Sequence, residues 1–249
     1  MTEHYPINTF FTFFRRRVAN IENLHNQPPQ LDHWEPETHV LAFVAVDALA
    51  NHWAATFEPD IARGQDRERL SRFLLKHGDA NIFSRFSTSD FIRRAHVEGF
   101  DQKLIDQVKP FRKPLTPGAM RGWNMEPRSS DVTESEELLN AFPTHHPTNR
   151  SKNGNPSSLN AAQWVSRSRF GDVFYSEFRS SWVHTYTGGK GTSTGWKGDN
   201  HKEPRYMNWE GPPNERLVFP VPYLLKLLSM CIDCFEAECS QAGHGPIER

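Results

Sequence analysis

The sequence predicts a mainly α protein, a helical bundle interrupted by a long polar insertion, with a short β-hairpin before the last helix. Apolar residues recur every three or four positions over long segments at both ends of the 249-residue chain, the signature of amphipathic helices. One segment, Leu41 to Ala50, is apolar almost throughout and reads as the central helix of the bundle. From about Lys109 to Ser158 the composition turns to Pro, Ser, Asn, Thr and Gly with few aliphatics. That stretch is an insertion or lid within a single domain spanning 1–249.

The first helix is expected from about Ile7 to Asn26, with Ile7, Phe10, Phe11, Phe14, Val18, Ile21 and Leu24 on its apolar face. Arg15, Arg16 and Arg17 fall on its polar side, where they form a solvated or acid-pairing face or help hold RNA phosphates. Pro28-Pro29 ends this helix, and Glu35-Pro36-Glu37-Thr38 starts the next, with proline near the first position and acids complementing the dipole. That second helix should extend to about Phe57. Asp47 lies inside its apolar run, and an isolated buried carboxylate is costly. Asp47 therefore has a partner, for which Arg179 is one candidate, or lies on the polar edge of the helix.

A third helical pattern covers Asp66 to His77 with Leu70, Phe73 and Leu74 inward, and Ser87-Thr88-Ser89-Asp90 caps a fourth that begins Phe91-Ile92-Arg93-Arg94-Ala95. Within the insertion, Ser135 to Ala141 has a helical pattern. A further helix is expected from Ser158 to Ala161 through to His184, with a break foreseen at Gly171-Asp172. Tyr206 to Trp209 and Arg216 to Phe219 form the hairpin across Gly211-Pro212, and the last helix runs from Tyr223 to about Cys239.

The formal net charge of −1 gives no global attraction to nucleic acid or anionic lipid, so any RNA affinity must come from local patches. The N-terminus opens polar, and Phe10-Phe11-Thr12-Phe13-Phe14 meets three arginines at once, so no secretory signal is expected. Nor is any apolar run expected to span a membrane, which points to a cytoplasmic protein with no membrane partner. Cys231, Cys234 and Cys239 all fall on the last helix. Cys231-Ile232-Asp233-Cys234 has redox spacing but lacks the preceding strand and helix N-terminal position that activate a thiolate, so these read as structural cysteines.

The stretch Phe174-Tyr175-Ser176-Glu177-Phe178-Arg179-Ser180-Ser181-Trp182-Val183-His184-Thr185-Tyr186 places an arginine and a histidine five positions apart at the end of an apolar helix. Guanidinium forks onto phosphate oxygens, and imidazole moves protons near neutral pH, so the pair suits metal-free chemistry on a nucleic-acid backbone. The spacing recurs at Arg72-Phe73-Leu74-Leu75-Lys76-His77, but Gly78-Asp79 follows there, and His77 reads as a last-turn residue favourable to the helix dipole. Around the later copy, Phe174, Phe178 and Trp182 make an apolar stripe from which Arg179 is displaced, and Thr187-Gly188-Gly189-Lys190-Gly191 ends the helix near His184.

A helix carrying Phe-Arg-x-x-x-x-His, a variable loop, the Phe219-Pro220 step and a final apolar helix resembles the HEPN domain, whose hallmark is Arg-x4-6-His. The segments Phe10 to Leu24 and Leu41 to Ala50 are similar to the first two helices of that bundle, while the middle of the chain has no counterpart. The resemblance implies an endoribonuclease, toxin-like or a defence effector, in which two copies of the motif meet across a two-fold axis. A single copy then implies a homodimer, with RNA as substrate, an antitoxin or regulatory protein as a partner, and no cofactor. An Arg and a His five residues apart on an ideal α-helix point roughly 140° apart, a geometry that a two-fold interface or fraying at His184 relieves.

Under that resemblance His184 assists deprotonation of the RNA 2′-hydroxyl and Arg179 stabilises charge on the phosphoryl oxygens. Ser180 stands where active members commonly carry Asn, Asp or His, and has shorter reach. Tyr186 and Lys190 are candidates for base stacking and phosphate contact, with Arg15, Arg16 and Asp47 further members of the site. The alternative is a non-catalytic HEPN scaffold that binds RNA, nucleotide or a protein partner. Gly188 to Gly195 lacks P-loop spacing and a preceding strand and reads as a flexible loop, His145-His146 and His201 lack metal-ligand spacing, and no nucleophile elbow occurs.

Overall fold

The computed structural model describes residues 4–27, 36–61, 65–98, 106, 125–126, 167–179, 192–193, 202–208 and 215–247. These form a mainly α fold in which long helices from both ends of the chain build one bundle. They are α1 (Ile7–Asn26), α2 (Pro36–Phe57), α3 (Asp66–His77) and α7 (Val221–Ala242). Shorter pieces are α4 (Ala80–Phe83), α5 (Thr88–Glu98), α6 (Phe170–Val173) and a π-helical segment, Phe174–Arg179. The sequence boundaries of α1, α2 and α3 hold to within a residue, because proline and glycine punctuate them.

The apolar stripes meet as their periodicity requires. Phe10, Phe11, Phe14 and Ile21 of α1, Phe43, Val46, Leu49 and Trp53 of α2, Leu70, Phe73 and Leu74 of α3, and Leu224, Leu228, Ile232 and Phe235 of α7 are all buried in one core. Aromatic rings tie the layers together: Phe235 lies edge-on to Phe11 at 5.2 Å and within 6.2 Å of Phe10, Phe57 and Phe73. The two ends of the chain close on each other, with the Tyr5 N–H donating to Pro246 O at 2.8 Å. Gly245 permits this, since a Cβ there would fall 1.8 Å from Tyr5 O.

α2 is long and apolar enough to cross a membrane by length and composition, contrary to the expectation from sequence. Its position accounts for part of that composition: α1, α3 and α7 all pack against it, and half of its apolar window is buried in the bundle. Of its large apolar side chains, Leu41 and Val44 stay exposed.

The expected hairpin is present as β3 (Arg205–Asn208) antiparallel to β4 (Glu215–Val218), with Tyr206 opposite Leu217. Two further strands join it in the order β1-β3-β4-β2. β1 (Met125–Glu126) comes from the polar insertion and β2 (Thr192–Ser193) from the glycine-rich segment read as a loop. Both are two residues long, too short for an alternation pattern to be visible in sequence. The helix expected through 158–184 is also interrupted. Arg169 is extended and bridges Phe86, and α6 starts only at Phe170. The break thus falls before Gly171, which lies within α6 close against α3, where a Cβ would come 3.2 Å from Ser71 Oγ. The helical pattern at 135–141 lies outside the described residues.

Candidate functional site

The helix that carries Arg179 changes character just before it. α6 passes directly into the π segment Phe174–Arg179, whose hydrogen bonds close i to i+5 and which is a rare geometry frequent at functional sites. Its inner face is fixed by aromatic packing. Phe174 and Phe178 are fully buried, Phe178 lies 4.7 Å from Phe219 edge-on and 5.5 Å from Phe43, and Phe174 lies 5.0 Å from Phe43. Phe219 immediately precedes Pro220 and α7, so the Phe-Pro step positions one wall of the Arg179 helix.

Its outer face is held by charge. Arg94 of α5 donates to Ser176 Oγ and to Glu177 Oε1, both at 3.0 Å, and its Nε lies 2.8 Å from Asp90 Oδ2. Arg93 reaches the same two acids, at 2.6 Å from Asp90 and 3.5 Å from Glu177. Ser176 in turn donates to the Asp172 carbonyl at 2.9 Å, and Arg67 of α3 pairs with the Asp172 carboxylate. Burial pushes the Asp172 carboxyl up from its ordinary value, while the Arg67 guanidinium beside it pulls the other way. Ion pairs of this partly buried, networked kind fix geometry more than they add stability.

Arg67, Arg93, Arg94, Asp172, Ser176 and Glu177 were not singled out from sequence. Only the Ser176-Glu177 pair inside the aromatic stripe hinted at a polar face, and no local pattern links it to Arg94.

Asp47 is buried and lies 3.6 Å from Arg69, itself 2.7 Å from Asp66. The charge is thus compensated from α3, where the sequence had offered Arg179 as one candidate. Arg15 is drawn into two acids of α7, at 2.8 Å from Asp233 and 2.5 Å from Glu236, and these partners raise its pKa further. That is the acid-pairing alternative for Arg15, and it turns this guanidinium toward protein; Arg16 is exposed. The backbone of Arg179 closes the π segment. Its side chain, and all of Ser180, His184, Tyr186 and Lys190, lie outside what is described, as do His145, His146 and His201.

The other Arg-x4-His pair is fully visible. Arg72 is exposed and pairs with Glu68 and Glu58. His77 is buried among Trp53, Phe73 and Phe235, with Nε2 2.9 Å from Glu238 Oε2, to which Trp53 Nε1 also donates at 3.1 Å. Desolvation pushes the His77 pKa down to about 4, against the pull of Glu238.

Among the described residues no group of three or more His, Cys, Asp or Glu converges as a metal site. Cys231 and Cys239 are buried and Cys234 exposed, all as free thiols, and burial pushes the Cys231 thiol up. Comparison with family models, with curated proteins and with solved structures finds no match for this chain.

Proposed function

We propose that this chain is a metal-independent endoribonuclease that cuts RNA by 2′-hydroxyl attack. His184 takes the 2′-hydroxyl proton, the O2′–P bond forms as the P–O5′ bond breaks, the leaving 5′-oxygen takes a proton from water, and Arg179 stabilises the charge gathering on the phosphoryl oxygens. The products carry a 2′,3′-cyclic phosphate and a 5′-hydroxyl, and DNA, lacking the nucleophile, is left intact.

The observation that carries the reading is the π segment ending on Arg179, held by rings on one side and by Arg94, Ser176 and Glu177 on the other. A homodimer, a toxin-like or defence role, and restraint by an antitoxin or regulatory protein follow from the HEPN resemblance and belong to the same proposal.

The test is incubation of the protein with structured and unstructured RNAs in EDTA, with the product ends mapped. Cleavage leaving cyclic phosphate ends, lost in Arg179→Ala and His184→Ala, is expected. RNA left intact by a folded wild-type protein, or cut equally by His184→Ala, sinks the assignment. One observation favours the scaffold reading instead: Leu41 and Val44 form an exposed apolar strip on α2, which a protein partner would cover.

A further inference from the structure

The helix leading to Arg179 opens at a serine that bonds back along its own backbone. Ser176 Oγ donates to the Asp172 carbonyl at 2.9 Å, the acceptor that the Ser176 N–H takes in an unbroken α-helix. A hydroxyl placed there competes with the i to i−4 ladder and bends or widens it. The back-bond alone does not suffice in this chain. Thr56 Oγ1 donates to the His52 carbonyl at 2.7 Å and Ser229 Oγ to the Leu225 carbonyl at 3.0 Å, yet α2 and α7 stay α-helical around both.

What differs at Ser176 is the donor on the far side of the hydroxyl. Arg94 of α5 donates to Ser176 Oγ at 3.0 Å, and the same nitrogen reaches Glu177 Oε1 at 3.0 Å. A charged donor polarises the hydroxyl and strengthens the bond it makes onward to Asp172. At Thr56 the corresponding donor is a neutral amide, the Ile247 N–H at 3.0 Å.

Both ends of this relay are anchored. The Arg94 Nε lies 2.8 Å from Asp90 Oδ2, and Asp90 is buried at the start of α5, where its N–H donates to Ser87 Oγ at 3.1 Å. At the other end, Arg67 of α3 holds the Asp172 carboxylate, which fixes the residue whose carbonyl Ser176 engages.

We infer that Arg94 is a positioning residue: through Ser176 and Glu177 it opens α6 into the π segment and so sets the backbone at Arg179. That this serves cleavage rests on the ribonuclease reading; that it opens the helix does not. Arg94 acts on the helix and not on RNA.

The experiment compares wild type with Ser176→Ala, Ser176→Thr and Arg94→Gln by crystal structure, thermal unfolding and RNA cleavage in EDTA. Ser176→Ala removes the hydroxyl and installs a better helix former. Arg94→Gln removes the charge, while Arg93 still pairs with Asp90 and Glu177. In both, Phe174–Arg179 is expected to close i to i+4 as an α-helix, and kcat to fall about 10²-fold with KM unchanged, as for a displaced catalytic group. The melting temperature of Ser176→Ala should not fall, whereas loss of a merely structural hydrogen bond would lower it. Ser176→Thr keeps the hydroxyl and should keep both the π segment and the rate.

If Arg94→Gln does not fold, Arg94→Lys takes its place. It keeps a charge beside Asp90 and Glu177 but lacks the planar fork that spans Ser176 as well, so the same α-helical closure is expected. A π segment retained in Ser176→Ala or in the folded Arg94 variant overturns the inference, as does an α-helical segment that cuts RNA at the wild-type rate. A wild type that cuts no RNA removes the ribonuclease; α-helical closure in the variants then still supports the hold of Arg94 on the helix, and a retained π segment still overturns it.

Discussion

Two segments of this chain share one spacing and stand in different surroundings. Arg72 and His77 lie on an α-helix, the arginine outside among Glu58 and Glu68, the histidine inside among three aromatic rings and Glu238. Arg179 ends a π segment clamped by aromatic packing and by Arg94. An α-helix turns the two members of an Arg-x4-His pair away from each other, and at the earlier copy that divergence separates solvent from core. The spacing alone therefore marks a fold element as readily as the site proposed at the later copy.

The largest effect that would sharpen the contrast is on cleavage. His184→Ala should lower RNA cleavage about 10²–10⁴-fold, the usual contribution of a positioned acid or base. His77→Ala should leave the rate of whatever protein remains folded unchanged. Equal losses in rate per folded molecule would break the distinction.

Stability should show the reverse. His77→Ala empties a ring-sized space between Trp53, Phe73 and Phe235, and by analogy with other buried rings it should cost about 3 kcal/mol in denaturant unfolding. A change below about 1 kcal/mol would mean that the histidine does not hold the core.

The same residue sets a pH dependence. Its pKa is near 4 when folded and near the ordinary 6.5 when unfolded, so between those values the unfolded chain binds more protons. Stability is full above pH 6.5 and falls as pH drops toward 4, by on the order of 3 kcal/mol. Unfolding midpoints measured across that window should slope in the wild type and flatten in His77→Phe; parallel slopes would assign the effect to other groups.

The smallest effect is expected at Arg72. Its partners are exposed, so Arg72→Ala should shift stability by no more than about 1 kcal/mol and leave cleavage alone.

Much of the bundle was legible because helical periodicity is local. Phe10, Phe14 and Ile21 of α1, or Leu70, Phe73 and Leu74 of α3, announce their inward face through spacing alone, and all are buried. The strand pairing was legible for the same reason, with Tyr206 and Leu217 on either side of the Gly211-Pro212 step in the sequence. The site was legible only as a motif. Arg94 and Ser176, or Asp47 and Arg69, lie far apart in sequence, and nothing in either segment states that the other lies across from it.

The sequence by itself determined which stretches are helical, where proline and glycine stop them and which faces are apolar, because those properties depend on neighbours within a turn or two. Only the tertiary structure decided that His77 is core, that Asp47 meets α3, that Arg15 faces the acids of α7 and that the helix leading to Arg179 widens into a π turn. Burial and ion pairing depend on which element packs opposite, and that choice belongs to the whole bundle.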